Sequence, residues 1–381
     1  RAMGPVGVYR PRHPERTAFY QLLDRFFPRY VEAYDERFEP RCGPLRPVVP
    51  RTVAAFLDCG CLKNGFARLR CVSCGGEHLL AFSCSTRNFC PSCQAKRSAL
   101  FAERLAEEVL AAVPHRHVVL TIPKALRGLF ERDRDLLGLL SRAGYDVVRE
   151  ALAEAAGEAA GVPGVVSSIQ TFSSYTRFHP HLHLLVAEGL FTSDGGFRAV
   201  EWCDADRLEE RFRRRVLSAL EEAERLSPET RERLLAWEHS GFSVYGRQVL
   251  SPDDPAQVAH LLRYVTRAPW RTDGARLDAE GRVRVLTPPD PTSGQTELVL
   301  DPLEWVHAVV TQIPDPGLHL TRSYGAYSNR LRKKWAHLRA GPSASDGAQL
   351  QACAAGVSDG ANADPPESEF VKKRKASWAR L

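Results

Sequence analysis

The sequence contains no run of about 18 uncharged apolar residues, so no transmembrane helix is expected. No signal-peptide pattern follows Arg1, so export is not expected, and a start at arginine reads as the start of a fragment. Internal repeats are absent. So is any Gly-rich phosphate loop, which removes the usual sign of nucleotide-driven chemistry. Cysteine is scarce outside one block: of ten, only Cys203 and Cys353 fall outside the span from Cys42 to Cys93. Such crowding in a long chain without a secretion signal points to metal, whereas a disulfide framework suits short secreted domains.

What is present is ordinary for a globular protein. A length of 381 residues implies two or three domains, and 44% apolar residues can build their cores. A net charge of +6 is a weak pointer to a polyanionic partner and fits an ordinary basic protein equally well.

Apolar residues at helical spacing predict a helix over Thr17–Tyr34, within a helical region spanning 1–57. The Cys-rich block gives a zinc-binding domain at 58–97. Helices are expected at Ser98–Val113, Leu136–Ala160 and Asp206–Leu226, and strands at His117–Pro123, Val165–Phe172 and His181–Ala187. Asp253 or Asp254 can cap a helix that runs to Arg267 and stops before Pro269. Residues 98–340 thus form the main domain. Residues 341–366, rich in Gly, Ala, Ser, Asp and Pro, read as a disordered linker. Residues 367–381 form a basic end carrying Lys372, Lys373, Arg374 and Lys375.

Cys71-Val-Ser-Cys74 and Cys90-Pro-Ser-Cys93 are two CxxC pairs separated by fifteen residues, the spacing of a tetrahedral zinc site. Cys59, Cys61, Cys84 and His78 are left over nearby; they could form a second site or replace a member of the first. A closed four-ligand site serves folding and presentation of DNA. Arg87, Lys96 and Arg97 among the ligands are candidate contacts to a DNA backbone.

The stretch Arg177-Phe-His-Pro-His-Leu-His-Leu-Leu-Val186 carries histidines at alternate positions of a strand. His181 and His183 share a face with Cα atoms about 6.6 Å apart, so both can reach one divalent ion that polarises a phosphate. Leu182, Leu184 and Val186 take the opposite face. His179 is a weaker candidate because Pro180 follows it. The third ligand is open between His260 and Gln170. Tyr264 ends the capped helix with His260 and Arg267 on its face. A tyrosine needs cationic or metal help to act as a nucleophile. Arg263 and Arg267 can supply it and can also grip a phosphate. From these residues alone the favoured reading of Tyr264 is a half-buried helix-end tyrosine whose hydroxyl reaches water. Tyr324-Gly-Ala-Tyr327, followed by a basic run, reads as a turn with two further tyrosines that could face DNA.

In order, these pieces resemble the transposases of the insertion-sequence-ninety-one family. The resemblance rests on Tyr9-Arg-Pro-Arg-His-Pro-Glu-Arg16, Gly65-Phe-Ala-Arg-Leu-Arg-Cys71, Phe89-Cys-Pro-Ser-Cys93, Phe178-His-Pro-His-Leu-His183, Arg263-Tyr-Val-Thr-Arg267 and His319-Leu-Thr-Arg322. It implies an α+β fold: an HUH nuclease domain with a central antiparallel sheet behind a small zinc-ribbon-like domain. It implies His181 and His183 as ligands of Mg2+ or Mn2+, structural Zn2+, and Tyr264 as nucleophile. His260 stands where some members carry a second tyrosine, so the chain resembles the single-tyrosine branch. The implied partners are single-stranded DNA, element ends and target DNA in a bacterial cytoplasm, at the nucleoid. The alternatives are a non-catalytic zinc-ribbon DNA-binding protein descended from a transposase, and a replication initiator or relaxase.

Overall fold

A computed structural model describes residues 13–157, 161–173, 177–202, 204–289 and 293–339. The first residues of the opening motif, Cys203, Cys353, the expected linker at 341–366 and the basic end at 367–381 lie outside the described residues. In chain order the elements are α1 (Ala18–Glu32), α2 (Tyr34–Arg37), α3 (Glu39–Cys42), α4 (Val48–Leu57), β1 (Phe66–Arg70), β2 (Glu77–Ala81), α5 (Pro91–Glu108), β3 (His115–Thr121), α6 (Lys124–Arg132), α7 (Leu136–Ala156) and β4 (Val162–Phe172). There follow β5 (Phe178–Phe191), β6 (Phe197–Ala199), α8 (Ala205–Glu222), α9 (Pro228–Leu235), β7 (Ser243–Leu250), α10 (Pro255–Val265), β8 (Ala275–Leu277), β9 (Val283–Leu286), β10 (Glu297–Leu300), α11 (Pro302–Val310) and β11 (Thr321–Gly325). No helix among the described residues is long and apolar enough to cross a membrane.

The fold is α+β. Its main sheet runs β11-β4-β5-β3-β7, with β6 paired to β5, and its pairings are antiparallel. Period-two alternation gives each strand two faces. On one face Val118, Leu120, Leu182, Leu184 and Val186 are buried under α7 and α8 with Leu140, Val148, Phe212 and Leu217. Each such leucine contributes roughly 2 kcal/mol through burial. Helix α7 lies close to the sheet at Gly144, where an added Cβ would stand 2.7 Å from Leu182 Cδ1. The other face, with Leu185 and Ala187, packs against α5 and α10 through Leu105, Leu261 and Leu262. A separate core gathers α1 and α4 with α11 and β9 around Phe19, Phe56, Val283 and Trp305, and takes in Cys59 and Cys90.

Several boundaries differ from expectation for local reasons. Helix α5 begins seven residues before Ser98, because Cys90 is its N-cap and Pro91 its first residue. Helix α7 ends at Ala156 because Gly157 turns left-handed, with φ 59°. Tyr324 and Tyr327 do not face DNA. Tyr324 lies on β11 with its hydroxyl against Ser141 Oγ at 2.9 Å, and Tyr327 hydrogen-bonds His115 Nε2 at 2.6 Å, both inside the core.

Burial pushes the His115 imidazole down to about 4. The folded state therefore keeps His115 neutral while the unfolded chain takes a proton below about 6.5. Stability is full above that pH and declines as pH falls toward 4, by about 3 kcal/mol from this residue alone. Urea unfolding at pH 7 and pH 4 measures it, and a flat profile contradicts it. His115→Gln is expected to remove this share of the slope.

Candidate active site

Strand β5 holds His181 and His183 on the face turned toward α10. Their neighbours across the sheet are Gln170 and Ser168 on β4, and Thr121 and Val119 on β3. The rings of His181 and His183 stand 5.0 Å apart, centroid to centroid. Tyr264 brings its ring to 6.0 Å from His183, edge to face at 87°. It is 41% exposed, so the ring borders solvent on one side and the imidazole on the other. Arg267 lays its guanidinium 4.4 Å from the Tyr264 ring centre and 5.7 Å from that of Phe172. Thus the structure brings together the two histidines, the tyrosine and one arginine named from sequence. Arg263 and His260 are exposed on the same helix.

Hydrogen bonds decide the imidazole tautomers. His181 Nδ1 is 2.8 Å from the His179 carbonyl, which can only accept, so the proton is on Nδ1 and the Nε2 lone pair is free. His117, on β3, has Nδ1 3.4 Å from Gln248 Oε1 and Nε2 2.9 Å from His183 Nδ1. With the Gln248 oxygen accepting, His117 Nδ1–H donates to it, and His183 Nδ1–H donates to His117 Nε2. His183 Nε2 is then an acceptor, and it is buried without a hydrogen-bond partner. Burial pushes the His183 imidazole down to about 2, helped by His181, His117 and Arg267, and pushes His181 and His117 down as well. Two neutral imidazoles with free lone pairs are what a divalent ion needs.

His179, on the same strand, is engaged with an arginine. Its Nε2 lies 3.1 Å from Arg127 Nη2 and accepts from it. Gln170, an alternative third ligand, instead donates its amide to the Val265 carbonyl at 2.9 Å and the Tyr264 carbonyl at 3.3 Å. His117 is the imidazole hydrogen-bonded to His183, and His260 is exposed on α10. Sequence reading set this strand at His117–Pro123, so His117 stood at its very start and its alternation with His115 went unread.

The end of the tyrosine helix is held by side chains that sequence reading also missed. The last carbonyls of a helix have no partner within it. Here Ser168 Oγ donates to Val265 O at 2.9 Å, Gln94 Nε2 to Thr266 O at 2.7 Å, and Ser98 Oγ to Arg263 O at 3.1 Å. Gln94 and Ser98 belong to α5, which starts at the cysteine block.

In that block Cys59, Cys84, Cys90 and Cys93 converge. Their sulfurs are 4.0 Å (Cys59–Cys90), 3.7 Å (Cys59–Cys93) and 3.6 Å (Cys84–Cys93) apart. Four thiolates at about 2.3 Å from one zinc are separated by about 3.8 Å, so the donor set fits. Shared hydrogen bonds, those to Cys59 first, push the Cys84 and Cys90 thiols up and draw Cys93 down, while Cys84 draws Cys59 down to about 7. Of the expected set, Cys90 and Cys93 belong to this group, joined by Cys59 and Cys84, which stood as replacements for its members, while Cys71 and Cys74 lie outside it. Cys71 and Cys74 are exposed at the turn joining β1 to β2, where Gly75 N bonds Cys71 O at 2.9 Å. CxxC spacing finds knuckles but does not say which knuckles face each other. Cys61 and His78 also lie outside the four-sulfur group, His78 exposed on β2.

The basic contacts divide. Arg97 is exposed, with one nitrogen on Ser85 O at 3.2 Å, and Lys96 is partly exposed. Arg87 is partly buried, and its guanidinium donates to Leu318 O at 2.7 Å and Asp315 O at 3.1 Å, tying the cysteine loop to the chain before β11.

Two family models match the chain: "Transposase zinc-binding domain", of the IS91 type, over residues 26–122, and "Putative transposase" over residues 164–334. Among curated proteins, "Putative transposase y4qJ" of Sinorhizobium fredii (strain NBRC 101917 / NGR234) is 31% identical over 170 residues, 44% of this chain and 41% of that protein. The "Transposase for insertion sequence element IS801" of Pseudomonas savastanoi pv. phaseolicola is 31% identical over 155 residues, 40% of this chain and 36% of that protein. The matches thus span about two fifths of each relative's length. No solved structure matches significantly.

Proposed function

The chain belongs to the IS91-family transposases, and from that premise we propose that it cuts and rejoins single-stranded DNA through Tyr264, in rolling-circle-type transposition. The observation that carries this reading is the buried, partnerless His183 Nε2 beside the half-exposed Tyr264 ring. In this reading residues 98–340 form an HUH nuclease unit and residues 58–97 a zinc-binding module that presents DNA. The working place is the bacterial cytoplasm, at the nucleoid.

His181 and His183 would hold a Mg2+ or Mn2+ ion, and that ion would supply charge withdrawal from the scissile phosphate. Tyr264 loses its phenol proton and its oxygen forms a bond to phosphorus. The bond from phosphorus to the 3′ oxygen breaks, and that oxygen takes up a proton. The 5′ end stays on the tyrosine until a later 3′ hydroxyl attacks, so bond energy is conserved without a nucleotide cofactor. Arg267, over the tyrosine ring, and Arg263 steady the phosphate. His117 is a positioning residue that fixes the tautomer of His183. The substrates are element ends and target DNA.

The test uses labelled single-stranded DNA with the purified chain and manganese or magnesium. After denaturation a labelled protein band is expected, and none with chelator present. Label transfer undiminished by chelator refutes the metal role. His117→Ala is expected to weaken Mn2+ binding by about 10–100-fold, read by titration calorimetry. An unchanged affinity refutes its positioning role.

A further inference from the structure

Away from both centres, Cys42 at the end of α3, Glu131 on α6 and His307 on α11 meet. Cys42 Sγ is 3.5 Å from His307 Nε2, and the same nitrogen is 3.8 Å from Glu131 Oε1. The three ligand atoms all lie within 4.8 Å of one another. In a tetrahedral zinc site a thiolate and an imidazole nitrogen stand about 3.6 Å apart. A simple thiol–imidazole hydrogen bond accounts for the Cys42–His307 distance alone. It does not account for a carboxylate brought to the same nitrogen.

His307 is held as a ligand imidazole is held. Its Nδ1 hydrogen-bonds the Tyr30 hydroxyl at 3.0 Å, and its ring stacks on Phe38 at 4.6 Å and 19°. With Nδ1–H donating to the phenol oxygen, Nε2 keeps its lone pair. The three elements already touch there. Arg41 pairs with Glu304 at 2.8 Å, linking α3 to α11, and Arg132 Nη2 donates to Arg41 O at 3.1 Å, linking α6 to α3.

We infer that Cys42, Glu131 and His307 form a further metal site, for a divalent transition ion, zinc first. Sulfur, nitrogen and oxygen donors together favour such an ion over Mg2+ or Ca2+. Its two anionic donors neutralise the ion, the Cys42 proton leaves to solvent, and the fourth position is open to water. The ion would clip α3, α6 and α11 together across segments far apart in sequence.

The test counts zinc per chain by mass spectrometry on the full chain, equilibrated in zinc-buffered solution. Cys42→Ala and His307→Gln are each expected to hold one ion fewer than the unaltered chain. With Co2+ as probe, the strong thiolate band of the four-sulfur cluster persists in both, showing that the fold is intact. Tyr30→Phe is expected to keep the ion but bind it about 10–100-fold more weakly. Equal zinc content in the unaltered chain and Cys42→Ala overturns the site. Should Cys42→Ala fail to fold, the unaltered chain decides: alkylation of Cys42 by iodoacetamide is expected to slow at least about tenfold on adding zinc. An unchanged rate overturns the site.

Discussion

Tyr264→Phe is expected to abolish the covalent protein–DNA band and to lower strand cleavage at least about a thousand-fold. The change removes one oxygen and leaves the ring between His183 and Arg267. Tyr264 is 41% exposed, so no buried partner loses its hydrogen bond and stability should hold within about 0.5 kcal/mol. Melting at the unaltered temperature then separates lost chemistry from lost folding. The suitable control is Tyr245→Phe, an exposed tyrosine on β7 that should keep the band. Tyr324 and Tyr327 are poor controls. Their hydroxyls bond Ser141 and His115 inside the core; removing that of Tyr327 leaves His115 Nε2 unsatisfied at about 1–3 kcal/mol, and removing that of Tyr324 leaves Ser141 with Ser167 alone. A band of full strength in Tyr264→Phe moves the nucleophile elsewhere. No band in the unaltered chain favours a non-catalytic DNA-binding protein of transposase descent.

The reach of sequence reading follows from which signals are local. The alternation through His181–Val186 is a property of one strand, so its two faces were legible, and both match the packing of Leu182 and Leu184 against α7. The capped helix ending near Tyr264 was legible for the same reason: Asp254 accepts from Gln257 N at 3.0 Å, as an N-cap does. What failed was pairing at a distance. Cys90 and Cys93 face Cys59 and Cys84 because the β1–β2 hairpin returns the chain to Gly60, whose N–H bonds Phe82 O at 2.9 Å, and no spacing rule encodes that. His117 reaches His183 only through the register that sets Val119 opposite His183. Gln94 and Ser98 are ordinary polar residues of a helix until the end of α10 lies on them. The small sheet of β8, β9 and β10 was not anticipated, since its strands of three or four residues are too short to show a period.

Cys84→Ser or Cys93→Ser is expected to lose the structural zinc and, with it, the alignment of the tyrosine helix. A four-thiolate zinc contributes on the order of 10 kcal/mol of binding free energy that becomes folding free energy. In a chain of this size each kcal/mol lost lowers the melting temperature by roughly 1 °C, so losing most of that free energy lowers it by roughly 10 °C. The connection to chemistry is short. Cys93 is in the first turn of α5, and Gln94 follows it. Gln94 accepts from Asn88 N at 3.0 Å through Oε1 and donates to Thr266 O at 2.7 Å, two residues beyond Tyr264. Releasing the sulfurs frees the loop that carries Asn88, and Gln94 loses one of its two anchors. Adduct formation should therefore fall together with zinc content. Cys71→Ser and Cys74→Ser, at an exposed turn, should keep the ion and the melting temperature. Gln94→Ala separates positioning from folding: it should retain zinc yet slow the formation of the labelled band. Zinc lost from Cys71→Ser but kept in Cys84→Ser would return the ion to the hairpin pair. Full adduct formation in Gln94→Ala would break the proposed link between the sulfur cluster and the tyrosine.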